Sequence, residues 1–236
     1  MIRDYVTMRD GVCLSVTLFL PAKQPAPCIL EALPYRKDDM TSGWRPEYER
    51  FASEFGYAVA RVDVRGTGSS GGFATDEYPI AEQSDLAEVI TWLATQPWCT
   101  GNIGMFGTSY GGFNSFQLAC ERPANLKAIV PIYATDDRFT DDVHQMGGAR
   151  KWLDIVDYCH YMAPMNLLPP VPVDMRSKRP PGFQPERMPI QMPMIDANKI
   201  AVPSSKRVGQ TLSPIISQTG RENLVESIDA SKGLRR

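Results

Sequence analysis

The stretch "NIGMFGTSYGGFNSF", residues 102–116, constrains this chain more than any other. A short apolar run, Ile103 to Phe106, stops at Gly107; Thr108, Ser109, Tyr110 and two more glycines follow, then a segment of helical composition. Gly107-Thr108-Ser109-Tyr110-Gly111 fits G-x-S-x-G, the pattern of a sharp strand-to-helix turn that lifts a serine hydroxyl above a sheet. Glycine flanks the serine because the turn crowds the backbone, and a Cβ at either site would meet the neighbouring strand or helix. The helix starting after Ser109 points free N–H groups at the hydroxyl, which suits a developing negative charge. Ser109 is therefore a candidate nucleophile. The alternative, a plain Gly/Ser loop, fits poorly with a strand before it and a helix after it.

The rest of the chain supplies a sheet for that turn. Tyr5 to Met8 and Val12 to Leu20 alternate about "RDG" and read as a β-hairpin. "PCILEALPY" (27–35) reads as a third strand, "RPEYERFASEFG" (45–56) as a helix stopped by Gly56, and "YAVARVDVRG" (57–66) as a buried strand. From Asp76 to Gln96 the spacing predicts a longer helix with Leu86, Val89, Ile90 and Leu93 on one face. The elbow strand and its helix, to about Arg122, come next, then the strand "LKAIVPIYA" (126–134). Strands alternating with helices predict an α/β sheet, parallel after an antiparallel start. Reactive groups in such a sheet collect at the carboxyl ends of its strands.

"RGTGSSGG" (65–72) contains a literal G-x-G-x-x-G after a strand, which raises a dinucleotide site. No helix begins inside it, since Phe73, Thr75 and Pro79 continue a loop, and no acidic residue follows at ribose-binding distance. It reads instead as a turn with several residues at positive φ.

A net charge of −2 gives no reason to expect nucleic acid or an anionic membrane as partner. Cys13, Cys28, Cys99, Cys120 and Cys159 are odd in number and scattered, as small buried hydrophobes of a reducing compartment would be. "MIRDYVTMRDG" has no apolar core of a signal peptide, and no stretch reaches a membrane span, so a cytoplasmic protein is expected. No His/Asp/Glu cluster has metal-ligand spacing, and no cofactor is implied.

Composition changes near Val173. Nine prolines fall between 164 and 193, and residues 174–236 hold one aromatic, Phe183, with eleven Lys/Arg against six Asp/Glu. Such a segment buries little apolar surface to offset its ordering entropy and reads as a loose tail. A basic interaction arm is the other reading, but the charges are dispersed.

Several pieces together resemble a known family. "LPYRKDD" (33–39), "DVRGTGSSGG" (63–72), "ITWLATQPWCTGNIGMFGTSYGG" (90–112), "TDDRFTDDVHQMGGA" (135–149) and, more weakly, "DYCHYMAPMNLLPPVP" (157–172) resemble the cocaine esterase-like (CocE/NonD) serine hydrolases, relatives of the X-Pro dipeptidyl-peptidases. The resemblance runs from the N-terminus to about residue 173. It implies an α/β-hydrolase-type, mostly parallel sheet with a helical cap and, usually, a C-terminal jelly-roll domain. Its nucleophile falls on Ser109, and its oxyanion hole on the Tyr110 backbone N–H and the Tyr35 hydroxyl. A phenol at the end of the third strand makes physical sense, because no HGG-type loop is present to give a second backbone donor. A surface aromatic beside Pro34 is the alternative for Tyr35. The implied substrate is a small-molecule ester or amide, or a peptide.

The triad of this fold runs in chain order Ser, acid, His. The family's acid and histidine lie beyond two further strands, and residues 174–236 show neither those strands nor a histidine. The two histidines, His144 and His160, fall where cap helices are expected. Asp136, Asp137, Asp141 and Asp142 follow the last recognisable strand but have no evident histidine to orient. The sequence therefore leads us to expect a truncated hydrolase core over 1–140, a partial helical cap over 141–173, and a Pro-rich, disordered or non-family tail over 174–236. The competing expectation is a catalytically inactive fragment or interaction module lacking the triad Asp and His; in either case the open edge of the last strand leads us to expect self-association.

Overall fold

A computed structural model describes residues 1–171; the expected tail, 174–236, lies outside the described residues. The chain opens with β1 (Ile2–Thr7) and β2 (Cys13–Phe19), antiparallel about a turn in which Gly11 has φ = 87° and Asp10 accepts the Val12 N–H at 3.1 Å. Then follow β3 (Ala26–Leu33), α1 (Arg45–Ser53), β4 (Ala58–Asp63), α2 (Ile80–Ala94), β5 (Cys99–Thr108), α3 (Tyr110–Glu121) and β6 (Leu126–Ile132). A two-residue pair, β7 (Gln145–Met146) and β8 (Ala149–Arg150), precedes α4 (Trp152–Leu167). The main sheet has the order β1-β2-β4-β3-β5-β6, antiparallel through β2 and parallel from β4 onward. This is the expected α/β architecture.

The alternation of each strand divides the sheet into two unlike faces. On one face Leu14, Val16, Leu30, Ala60, Val62, Ile103 and Met105 meet Leu86, Val89, Ile90 and Leu93 of α2 and Leu118 of α3. The i, i+3, i+4, i+7 spacing of α2 thus does what it predicts, burying one stripe against the sheet. On the opposite face the apolar cluster is small, Phe19, Tyr48, Ala52 and Val59 under α1.

Much of that second face is polar and still buried. Arg61 of β4 donates from Nε to Glu31 of β3 at 2.7 Å, from Nη1 to the Lys37 carbonyl at 2.7 Å, and from Nη2 to Thr41 Oγ1 at 2.9 Å. Its guanidinium lies 4.3 Å from the centre of the Tyr48 ring, whose hydroxyl donates to the same Glu31 oxygen at 2.7 Å. Asp63, at the end of β4, accepts the Lys37 N–H at 2.9 Å and the Ser69 N–H at 3.0 Å. Burial raises the Asp63 pKa. Lys37 Nζ lies 3.7 Å from Asp63 and donates to Ser15 Oγ at 2.9 Å. These bonds tie the loop after β3 and the loop after β4 to the sheet.

Two sequence expectations change. β2 is buried at every position instead of alternating with solvent, because Ser15 and Thr17 face the buried ionic groups, Thr17 donating to Asp38 at 2.8 Å. α2 begins at Ile80 and not Asp76, because Pro79 has φ −64° and ψ 157° and disfavours a helical Tyr78 before it. Tyr78 takes φ = 54°, so residues 76–79 form a loop. The "RGTGSSGG" segment is the expected turn, with Gly66, Gly68 and Gly72 at positive φ. A Cβ on Gly68 would sit 2.3 Å from the Asp63 carboxyl carbon. All five cysteines are free, and no helix among the described residues is long and apolar enough to cross a membrane.

Removing one partner of a buried ion pair leaves the other uncompensated, at about 3–5 kcal/mol. Arg61→Ala is therefore expected to lower unfolding stability by about that amount in urea, and the paired change Glu31→Leu with Arg61→Met to recover most of it. A loss below about 1 kcal/mol, the size of an exposed pair, would contradict the buried-latch description.

Candidate active site

Ser109 connects β5 to α3 with φ = 57° and ψ = −116°, a conformation that a residue with a side chain keeps only when its surroundings enforce it. They do so at four points. The Ser109 N–H donates to the Ile132 carbonyl of β6 at 2.8 Å, and its carbonyl accepts the Phe113 N–H at 2.9 Å. A Cβ on Gly107 would come within 2.6 Å of the Gly111 backbone, and one on Gly112 within 2.8 Å of the Ile132 carbonyl oxygen. Gly111, the second glycine of the pattern, is under less steric demand: its Cβ would be 3.4 Å from the Ala32 carbonyl oxygen. The close approach of helix to strand therefore needs Gly107 and Gly112.

Tyr110 is the first residue of α3, so helix geometry leaves its N–H without an intrahelical acceptor. Tyr35 follows β3, in the loop that Arg61 and Asp63 hold. Its hydroxyl interacts with those of Ser109 and Tyr158, and burial, with Glu77 adding to it, raises its pKa. The Tyr35 and Tyr110 rings meet edge to face, with centroids 6.2 Å apart and planes at 80°. Arg36, the next residue, donates to the Leu168 carbonyl at 3.0 Å and the Pro169 carbonyl at 2.8 Å, fastening the end of α4 beside the same loop.

Of these residues, Ser109 and Tyr35 open on a cavity of about 360 Å³. Tyr35 and Ser109 form its floor, Glu77 and Tyr78 come from the loop before α2, Phe113 from α3, Arg138 and His144 from the segment after β6, and Tyr158 and Tyr161 from α4. The Arg138 guanidinium lies over the Phe113 ring at 3.7 Å and the Tyr78 ring at 4.3 Å. Sequence reasoning missed Glu77, Tyr78, Arg138 and Tyr158. The aromatic residues carried no spacing signal, and Glu77 and Tyr78 were absorbed into a helix that starts later.

The histidines part company. His160 is exposed and bonds through Nδ1 to the Val156 carbonyl of its own helix at 2.8 Å. His144, expected as a cap or surface residue, lines the cavity shared with Ser109 from the segment after β6. Its Nε2 lies 3.5 Å from Glu77 Oε2, and its ring sits 5.2 Å from that of Tyr158. Burial lowers its pKa, but Glu77 and then Asp142 more than offset that, and it stands above the ordinary imidazole value. No hydrogen bond joins it to Ser109 among the described residues. Of the four aspartates after β6, Asp142 is buried 4.0 Å from Arg138, Asp137 accepts the Phe139 and Thr140 N–H groups, and Asp136 and Asp141 are exposed.

A six-stranded, mostly parallel sheet with a serine on the elbow after its fifth strand defines an α/β-hydrolase-type protein. The family model for X-Pro dipeptidyl-peptidase (S15 family) matches residues 10–167, and the chain belongs to that hydrolase family. It is 38% identical over 148 residues to the cocaine esterase of Rhodococcus sp. (strain MB1 Bresler), an alignment covering 61% of this chain and 25% of that protein. Among solved structures it is similar to a CocE/NonD family hydrolase from Staphylococcus aureus, at 29% identity and TM-score 0.52, covering 60% of this chain and 28% of that one. An alpha-amino acid ester hydrolase is similar at 27% identity and TM-score 0.55, covering 67% and 29%. The chain thus spans about a quarter of the length of the cocaine esterase and of the Staphylococcus aureus hydrolase.

If Glu77 holds His144 as described, NMR titration is expected to find the His144 pKa above that of a free imidazole in the native chain. In Glu77→Gln it is expected to fall, since burial is then opposed by Asp142 without Glu77. An unchanged titration in that variant would sink the pairing.

Proposed function

We propose that this chain is an acyl hydrolase in which Ser109 is the nucleophile. Its Oγ forms a bond to an ester or amide carbonyl carbon, the leaving group departs with a proton, and water then releases the acyl group. The Tyr110 N–H and the Tyr35 hydroxyl hold the carbonyl oxygen as it becomes an oxyanion. The observation that carries this reading is the enforced φ of 57° at Ser109, which holds its hydroxyl within reach of the Tyr35 phenol at the floor of one cavity. Cocaine esterase, an alpha-amino acid ester hydrolase and the X-Pro dipeptidyl-peptidase family as relatives support a small ester or amide, or a peptide, as substrate. The aromatic walls favour an apolar group on the acyl or leaving side.

We take residues 1–140 as the hydrolase core and the segment from 141 as the start of the cap, in a cytoplasmic protein. The edge of β6 supports self-association: among the described residues β6 pairs with β5 alone and leaves Val130 56% exposed.

A second reading, a chain that binds acyl compounds without turning them over, has one observation in its favour. Among the described residues neither histidine is bonded to Ser109, since His144 pairs with Glu77 and His160 with Val156. A serine hydroxyl without a base keeps position and oxyanion stabilisation only, a residual of about 10³–10⁴ over water. Losing a triad member costs about 10⁴–10⁶ in rate, so against turnover of about 10 per second for typical enzymes this predicts p-nitrophenyl butyrate hydrolysis on the order of 10⁻³ per second or less. Any rate above that residual is expected to be lost in Ser109→Ala, and the residual itself, which the oxyanion donors supply, to fall towards background in Tyr35→Phe. Equal rates in the native chain and Ser109→Ala would contradict the nucleophile. Turnover near one per second that is lost in His144→Gln would identify His144 as the base and dismiss the second reading.

A further inference from the structure

Glu82 lies in the first turn of α2 with only 4% of its surface exposed. Its Oε2 accepts the Tyr110 hydroxyl at 2.9 Å, and its Oε1 is buried with no hydrogen-bond partner. The Tyr110 oxygen in turn accepts the Tyr78 N–H at 3.0 Å, and the two rings stack with centroids 4.0 Å apart. Tyr110 carries one of the two proposed oxyanion donors on its backbone, and its ring is the surface against which the ring of the other, Tyr35, rests. A single carboxylate thus stands behind both.

We infer that Glu82 is a positioning residue for the oxyanion site, its carboxylate fixing the Tyr110 phenol and through it the start of α3 and the seat of Tyr35. This rests on the reading of Ser109 given above. The charged neighbours explain why Glu82 is available for the task. Asp85, one turn along α2, is already taken by Arg65 in two bonds of 2.7 and 2.6 Å. Glu77 belongs to the loop before α2 and pairs with His144, while Arg138 lies over the Tyr78 ring. No ion pair is recorded for Glu82 among the described residues. Its strongest tie is therefore the bond from Tyr110, and that bond is charge-assisted only while the carboxyl is ionised. Burial pushes its pKa up to about 7, Tyr110 and Asn114 oppose the shift, and Asp85 and Glu77 add to it. The clamp accordingly weakens as pH falls through neutrality.

Diisopropyl fluorophosphate tests this without requiring turnover. Ser109 Oγ bonds to phosphorus, fluoride leaves, the serine proton passes to solvent, and the phosphoryl oxygen takes the place of the oxyanion. Adduct formation on Ser109 is followed by mass spectrometry from mildly acid to mildly alkaline pH in the native chain, Glu82→Gln, Tyr110→Phe and the double variant. The native rate is expected to fall on the acid side with a break near the Glu82 pKa of about 7. Glu82→Gln removes that break and lowers the alkaline rate about tenfold, as a neutral bond replaces a charge-assisted one. Tyr110→Phe removes the same break, and the double variant is no slower than the slower single one.

Thermal unfolding separates positioning from mere support. A carboxyl whose folded pKa is raised costs stability above that pKa, so Glu82→Gln is expected to raise Tm at alkaline pH even as it slows the reaction. A break that persists in Glu82→Gln, or effects of the two variants that multiply independently, overturns the proposal and leaves Ser109 standing. No adduct on Ser109 at any pH overturns the nucleophile and this proposal with it.

Discussion

A guanidinium inside the sheet face is the interaction on which the candidate site depends. Arg61 bridges Glu31 on the adjacent strand to the carbonyl of Lys37 and the hydroxyl of Thr41, so the loop carrying Tyr35 is fixed from beneath by charge-assisted bonds. Asp63, two residues further along β4, clasps the same loop through the Lys37 N–H and a second loop through the Ser69 N–H. A buried network of this kind is costly unless each member is satisfied, and here it gives a defined position to a segment with no regular structure of its own. A phenol can serve as an oxyanion donor only if its loop does not wander. Tyr35 meets that condition because the two residues that follow it are tied, Lys37 to the sheet and Arg36 to the carbonyls at the end of α4.

The elbow obeys a different constraint. Backbone is packed against backbone there, with Gly107 under Gly111 and Gly112 under the end of β6, and strain at Ser109 is the result. Strain of this sort costs on the order of 1–3 kcal/mol and persists only where surrounding structure over-determines it. The hydrogen bond from Ser109 to Ile132 shows that β6 is part of that surrounding structure, so the last parallel strand is needed for the serine as well as for the sheet. The cavity above is closed by elements far apart in the chain, the loop before α2, the segment after β6 and α4, which converge on the carboxyl ends of the strands.

What the sequence made legible was local. The elbow, the α2 stripe and the glycine turn at 65–72 depend on residues within a few positions of one another, and each has the expected form. The ionic latch was not legible, because Glu31 and Arg61 are thirty residues apart and a lone charge in an apolar run carries no mark of its partner. The start of α2 is not legible in the sequence, since Asp76 and Glu77 look like a helix first turn, whereas Pro79 holds the chain extended and frees Glu77 and Tyr78 for the cavity. His144 looked like a cap residue by its place in the chain, and only the return of the segment after β6 over the strand ends brings it to Glu77. The assignment of Tyr35 came from resemblance and not from spacing. Its surroundings, the Ser109 and Tyr158 hydroxyls and the Tyr110 ring, give it a physical basis in this chain.

The covalent bond that Ser109 is proposed to form with an acyl group can be trapped. The full chain is mixed with excess p-nitrophenyl butyrate, quenched in acid and digested, and the peptide bearing the added acyl mass is identified. One butyryl group is expected on the peptide containing Ser109, absent from Ser109→Ala. A butyryl group on another residue, or equal labelling in Ser109→Ala, would contradict it.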